Sequence, residues 1–421
     1  MPGGQIQLAG PLRFDSPLAS RFFVGNDAAI LVDATHPPSG DVGAPRVFEA
    51  AGPRRRIFFD PAKTRAAVVT CGGLCPGLND VIRGVTMVLW HRYGVRRILG
   101  IRYGYEGMVE SSGVPPLTLT PELVEDIHQH GGTILGSSRG PQRVPAMVDF
   151  LVAHRVNLLF AVGGDGTQRG ALAIADEIRR RGLSLSVVGI PKTIDNDILF
   201  TERTFGFETA VAMSRGPITA AHMEAKGVRN GVGLVKLMGR ESGFIAAYAA
   251  LASSDVNLVL VPEVPFAMEY VFRFLEERMQ RKSHAVIVAA EGAGQDLVGS
   301  GGVDASGNCK LGDIGPFLKR EIARYSTDSG TPLHVKYIDP SYTIRSAPAS
   351  ADDSVFCFRL AENAVHAAMA GRTAVVVALW NGHFVHVPTE DAVRERKKID
   401  PEGPFWQSVL DNTGQPSPER Q

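Results

Sequence analysis

A strand, turn, helix, strand, turn pattern runs through Val156–Asp197, VNLLFAVGGDGTQRGALAIADEIRRRGLSLSVVGIPKTIDND, and it limits the fold more than any other stretch. Asn157–Val162 is an apolar run bounded by the glycine turn Gly163–Thr167, as a buried parallel strand requires. Gln168–Arg181 carries Ala171, Ile174, Ala175 and Ile178 at helical spacing, and Gly182 supplies a stop. Leu185–Ile190 is a second apolar run, broken at Pro191-Lys192-Thr193. The unit is therefore βαβ, with a right-handed crossover. Both polar turns fall at the carboxyl ends of parallel strands, where open α/β sheets place ligands.

The residue types in those turns suggest a chemistry. Consecutive glycines let backbone N–H groups approach an anion, and the following helix N-terminus favours negative charge. A carboxylate there repels phosphate unless a cation intervenes, so Asp165 points to Mg²⁺, which binds one or two carboxylates together with phosphate oxygens. Asp195 and Asp197 form a second acidic pair, suited to taking a proton from a substrate hydroxyl, with Lys192 as a point charge beside them. The plainer alternative is that Asp165 and Asp195 only cap turns or helices.

With 44% hydrophobic and 21% charged residues, the chain has a globular composition, and 421 residues suffice for two or three domains. Lys+Arg and Asp+Glu balance at 44 each, which argues against a nucleic-acid partner. Cys71 and Cys75 have no second ligand pair nearby, so zinc is not expected. Few cysteines and no signal peptide predict a cytoplasmic setting, and no apolar run has the length of a membrane span.

Elsewhere the same grammar repeats. Ala66–Thr70 reads as a strand entering the glycine turn Cys71–Asp80, followed by a helix over Val81–Tyr93. Arg97–Ile101 reads as a strand, Pro121–His130 as a helix, and Gly131–Gly140 as a third glycine-rich turn. Beyond a helix over Phe205–Ala225, strands at Val232–Leu237, Asn257–Val261 and Ala285–Ala290 alternate with helices at Phe244–Leu251 and Glu269–Arg281. Asp296–Asp313 reads as a mobile surface loop, Ile314–Tyr325 and Ser354–Ala370 as helices, and Ala374–Leu379 as a late strand. Residues 1–61 read as an extension packed on the surface or on a partner subunit, with Arg54–Arg56 a solvated patch. The polar tail from Lys397 is expected to be partly disordered.

Several of these motifs, in this order, resemble the phosphofructokinase family: the Cys71–Asp80 turn, Gly163–Thr167, Pro191–Asp197, Met238–Arg240, Glu291 and Tyr342–Arg345. The resemblance covers roughly residues 66–379. GGDGT alone also occurs in NAD and diacylglycerol kinases, whereas PKTIDND with a downstream MGR is specific. The resemblance implies an α/β chain of two Rossmann-like doubly wound domains with parallel-rich sheets and the active site in the cleft between them. It implies a nucleotide and Mg domain over 62–207 plus roughly 346–375, and a sugar-phosphate domain over 208–345 plus roughly 376–396, with a tail over 397–421.

The implied reaction is transfer of the ATP γ-phosphoryl group to the 1-hydroxyl of fructose 6-phosphate. Gly73, Arg139, Gly140, Gly164, Asp165, Gly166 and Thr167 match donor-binding positions, with Asp165 on the metal. Thr193, Ile194 and Asp195 match sugar positions, Asp195 being the base and Asp197 its support, while Lys192 stabilises the transferred group. Met238, Gly239, Arg240 and Glu291 match further sugar contacts, and Lys336, Tyr342 and Arg345 the 6-phosphate pocket. The family also implies a homodimer or homotetramer without nucleic-acid or membrane partners.

Departures from the bacterial ATP-dependent pattern are visible. Lys336 stands where arginine is usual, Tyr342 where histidine is usual, and Gly231 near an arginine that reaches across subunits. Pyrophosphate-dependent relatives carry a second aspartate at the position of Gly166 and a lysine at that of Lys192. Here Gly166 leaves room for a nucleotide while Lys192 is of the pyrophosphate type, a mixture that resembles the ATP-dependent plant and trypanosomatid enzymes. ATP is the expected donor, with pyrophosphate dependence and a non-catalytic regulatory subunit as the alternatives.

Overall fold

The computed structural model describes residues 6–35, 45–109, 112–299, 301–302 and 310–417. The chain forms two units: Met1–Thr193 with Ile198–Gly206 and Ser346–Arg396, and Ile194–Asp197 with Phe207–Arg345 and Lys397–Gln421.

The first unit is built on a nine-stranded sheet. Its order is Ala29–Leu31, Val47–Ala50, His383–Pro388, Val375–Trp380, Ser186–Pro191, Leu158–Gly163, Arg65–Thr70, Arg97–Ile101, Leu117–Thr118. The five strands from Val375–Trp380 to Arg97–Ile101 run parallel, and the flanking ones antiparallel. The central strands are covered on both faces, which explains their unbroken apolar runs. Ala67, Val69, Leu159, Ala161 and Val187 pack with Ile174 and Ile178 in one core. Their alternating neighbours Ala66, Val68, Leu158, Phe160 and Val188 are fully buried as well. Burial of one such side chain, Phe160 for instance, contributes on the order of 2–3 kcal/mol.

The helix Asp165–Arg180 follows the glycine turn as expected, with Asp165 in its first turn and Arg179 and Arg180 in its last, matching the helix dipole. Gly182 closes it at φ 66°, with the Leu183 N–H on the Ile178 carbonyl.

The second unit holds a four-stranded, wholly parallel sheet in the order Leu258–Leu260, His284–Ala290, Gly231–Leu237, His334–Ile338. The helices Phe207–Lys226, Phe244–Ser253, Met268–Lys282 and Ile314–Asp328 belong to it. Leu234, Leu260, Ile287, Phe274, Leu275 and Leu318 share its core.

Four expectations need correction. Residues 376–396, assigned above to the sugar-phosphate domain, lie in the first unit, because Val375–Trp380 pairs with Ser186–Pro191 and with His383–Pro388. The extension is not a surface appendage: Val47–Ala50 pairs with His383–Pro388 and continues the main sheet. Arg54 is 2% exposed and donates to Glu49 (2.9 Å) and to the Ala50 carbonyl, so it is no part of a solvated patch. Pro121–His130 forms only a 3-10 turn at Ile127–Gln129, since Val124 and Ile127 bury while Leu123 stays 44% exposed, too little apolar surface for a helix. The helix expected over Val81–Tyr93 is present, starting at Leu78 as an α-helix to Met87 and continuing as a π-helix over Val88–Tyr93.

The tail is ordered through a helix at Pro404–Thr413, which buries Trp406. Gln415 then bonds both the N–H (2.7 Å) and the carbonyl (3.2 Å) of Val259, covering an edge strand. Residues 300, 303–309 and 418–421 lie outside the described residues, and with them 8 of the 18 residues of the loop expected over Asp296–Asp313, whose start forms the short helix Gln295–Val298. The helix Val144–Ala153 and the strand His383–Pro388 were not anticipated.

Candidate active site

In the first unit, three neighbouring parallel strands release their turns at one sheet end, with Thr70 opposite Val162 and Pro191 opposite Gly163. The turns are laced together. The Lys192 ammonium donates to the Gly73 carbonyl (2.7 Å), and the Lys192 N–H to the Gly163 carbonyl (3.0 Å). The third glycine-rich turn joins them, with the Gly72 N–H on the Ser138 carbonyl (3.1 Å) and the Ser137 hydroxyl on the Gly72 carbonyl (2.5 Å). Gly72 has φ 87° and a Cβ there would stand 3.2 Å from Lys192 Nζ, so glycine is required. The fold thus gathers Gly73, Lys192, the Gly164–Thr167 turn and the loop carrying Arg139 and Gly140. Arg139 is exposed, and Gly140 has φ 101°.

Gly166 is exposed, and a Cβ built on it meets nothing within 4 Å. Asp165 accepts from Arg169 Nε at 3.0 Å. No group of three or more His, Cys, Asp or Glu that could hold a metal ion occurs among the described residues. A single carboxylate at a glycine turn suits a magnesium ion that arrives with phosphate oxygens, because Mg²⁺ binds through one or two carboxylates and keeps its remaining positions for phosphate and water.

Gln168 was missed by the sequence reading. It is fully buried, and its amide nitrogen donates to the carbonyls of Ala161 (3.2 Å), Gly163 (2.9 Å) and Ile190 (3.3 Å), which clamps the ends of the two strands. Its signal was legible: a polar residue on the same helical face as Ala171, Ala175 and Ile178.

The second unit assembles the acidic set. Asp195 is 9% exposed, and its Oδ2 accepts the Arg240 N–H at 3.1 Å. Burial pushes its carboxyl up to about 7, helped by the charges of Asp197 and Glu291 and opposed by Arg345 and the Arg240 N–H. Asn196 holds φ 57°, a conformation asparagine tolerates, between the two buried aspartates. Glu291 reaches the same group because its N–H bonds the Leu237 carbonyl (2.9 Å) and Gly292 N–H bonds the Gly239 carbonyl (2.9 Å). A Cβ on Gly292 would lie 1.8 Å from the Arg240 carbonyl oxygen, so the close approach depends on glycine. Arg345 Nη2 pairs with Glu291 Oε1 at 3.4 Å.

Asp195, Asp197, Arg240, Glu291 and Arg345 therefore come together as the motifs suggested, and Met238 and Gly239, which precede Arg240, are buried. Lys336 lies on the strand His334–Ile338 and Tyr342 on the short helix Ser341–Arg345 that also carries Arg345. Lys336 is exposed with Nζ 4.0 Å from Glu224, and Tyr342 is 88% exposed. At Gly231 a Cβ would stand 2.1 Å from the Ala225 carbonyl oxygen, so no arginine fits there.

Comparison with known proteins agrees with this geometry. The profile of the family described as Phosphofructokinase matches residues 65–368. A protein of Amycolatopsis methanolica named ATP-dependent 6-phosphofructokinase is 49% identical over 98% of this chain and 95% of its own. One of the same name from Trypanosoma brucei brucei is 50% identical over 88% of this chain and 77% of its own. Among solved structures, the pyrophosphate-dependent phosphofructokinase of Marinobacter aquaeolei superposes with a TM-score of 0.70 at 20% identity, covering 83% of this chain and 91% of that one. No helix among the described residues is long and apolar enough to cross a membrane. On the match to its sequence profile, on relatives near half identity and on the assembled motifs, the chain belongs to the phosphofructokinase family.

Proposed function

We propose that this chain is an ATP-dependent 6-phosphofructokinase, transferring the γ-phosphoryl group of ATP to the 1-hydroxyl of fructose 6-phosphate to give fructose 1,6-bisphosphate and ADP. The observation that carries the reading is Asp195: buried, oriented by the Arg240 N–H, and titrating near neutrality beside Asp197 and Glu291. A carboxylate with that affinity takes the hydroxyl proton as attack proceeds, yet is ionised often enough at neutral pH to do so. Asp197 supports it, and Lys192 with Arg139 and the amides of Gly73, Gly140 and Gly164–Thr167 neutralises donor phosphate charge. Positioning and charge stabilisation supply most of the rate in phosphoryl transfer.

Asp165 would hold Mg²⁺, which supplies charge neutralisation on the donor phosphates. Thr193, Ile194, Met238, Gly239, Arg240 and Glu291 bind the sugar in this reading, and Lys336, Tyr342 and Arg345 its 6-phosphate. The open space at Gly166 and the two relatives named ATP-dependent near half identity support ATP over pyrophosphate. By the family's habit the enzyme is a cytoplasmic homodimer or homotetramer.

Replacing Asp195 by Ser tests the assignment. Turnover with ATP, Mg²⁺ and fructose 6-phosphate should fall by about 10²–10⁴ with KM values little changed, the range for a lost general base. Retention of most of the turnover would remove Asp195 from the chemistry.

A further inference from the structure

We propose that Arg169 is a positioning residue for Asp165, fixing which carboxylate oxygen is offered to the nucleotide's divalent cation. The inference rests on the reading of Asp165 given above. Arg169 lies one helical turn after Asp165, and its Nε–H donates to Asp165 Oδ2 at 3.0 Å. Among the described residues, none bonds Oδ1. If the pair served only the helix, the rest of the guanidinium would be left in solvent. Instead Nη2 donates to the Val393 carbonyl, 224 residues further along, where the short helix Thr389–Ala392 ends. Both ends of the planar fork are thus held.

The consequence is orientational. A carboxylate in a helix's first turn can otherwise fold back onto the unsatisfied amides of that turn. With Oδ2 occupied, Oδ1 is the oxygen left for a cation, the arrangement by which hydrogen bonds to a ligating carboxylate tune metal affinity. The arginine charge opposes a cation, but its side chain is 54% exposed against 21% for Asp165, so its field is screened while its hydrogen bond is not. Orientation should therefore outweigh repulsion. Lysine at this position cannot make both bonds, because it lacks the two-pronged geometry.

The test uses full-length Asp165→Asn, Arg169→Ala, Arg169→Lys and Arg179→Ala variants, Arg179 pairing with Asp176 on the same helix. Mn²⁺ binding to the enzyme–ADP complex is read by electron paramagnetic resonance, alongside the Mg²⁺ half-saturation of the ATP reaction. Arg169→Ala should weaken both by roughly tenfold or more, within the range for outer hydrogen-bond partners of metal ligands. Arg169→Lys should fall between, and Arg179→Ala should match the parent, with thermal midpoints confirming that all are folded. Unchanged or tighter Mn²⁺ binding in Arg169→Ala, with Asp165→Asn weakened, overturns the positioning role alone. If Asp165→Asn also binds Mn²⁺ as the parent does, the reading of Asp165 fails and this inference with it.

Discussion

Replacing Asp195 by Asn should lower turnover as far as Asp195→Ser does and at the same time stabilise the fold, by an amount that depends on pH. In the folded chain this carboxyl keeps its proton to about pH 7, whereas the reference carboxyl releases it at 3.8. Between those values the folded state binds more protons than the unfolded state, so stability falls as pH rises through the window and the loss is complete above it. At about 1.36 kcal/mol per pH unit, the ionised Asp195 costs the fold roughly 4 kcal/mol at pH 8 and well under 1 kcal/mol at pH 4. Asparagine keeps an oxygen for the Arg240 N–H and carries no charge against Asp197 and Glu291. Urea unfolding of parent and variant at pH 4, 6 and 8 should therefore show a gain that grows with pH, with the m-value unchanged. A gain of the same size at pH 4 and pH 8, or a loss at pH 8, would refute the argument that burial and neighbouring carboxylates hold the proton. The acid limb of kcat/KM in the parent should lie near pH 7 for the same reason.

The remaining predictions concern the donor turn and the buried charges of the first unit. Gly166→Asp should fold normally, since its side chain enters open space, and change stability by less than about 0.5 kcal/mol in calorimetry. Its kcat/KM for ATP should fall by orders of magnitude through repulsion of the nucleotide phosphates. Glu49→Gln should cost about 3 kcal/mol at pH 7, measured by urea denaturation. Burial alone would raise the Glu49 carboxyl, but His386 and Arg372 overcome it and hold it at about 2 instead of 4.5. That depressed value means the contribution is complete above pH 4.5 and disappears as pH falls through about 2.

What the sequence disclosed and what it hid divide along sequence distance. Val156–Asp197 was legible because its signals are local: two apolar runs, a glycine turn, one amphipathic face and Gly182. The two strands proved to be adjacent and parallel, so Asp165 and the segment after Pro191 emerge as the pattern required. Arg54 was misread because its three-arginine run looks solvated, while its buried setting depends on Glu49 and on Arg372, which bonds Glu49 at 3.0 Å from 323 positions away. The strand His383–Pro388 carries two histidines, and the partner of His386 is again Glu49, at 2.8 Å. At Arg169 the bond to Asp165 is readable as an i to i+4 spacing, but the anchor on Val393 is not. Lys336 and Tyr342 illustrate the opposite limit, since a motif position does not say how exposed a side chain is, and both are exposed.

The measurement that bears most directly on the central claim is the initial rate with fructose 6-phosphate and Mg²⁺, using ATP and pyrophosphate in turn at equal concentration. The account predicts fructose 1,6-bisphosphate with ATP and none above background with pyrophosphate, Gly166 deciding the donor and Lys192 serving as an accessory phosphate contact. Turnover with pyrophosphate alone would contradict the assignment of the donor, and turnover with neither would contradict the assignment of the reaction.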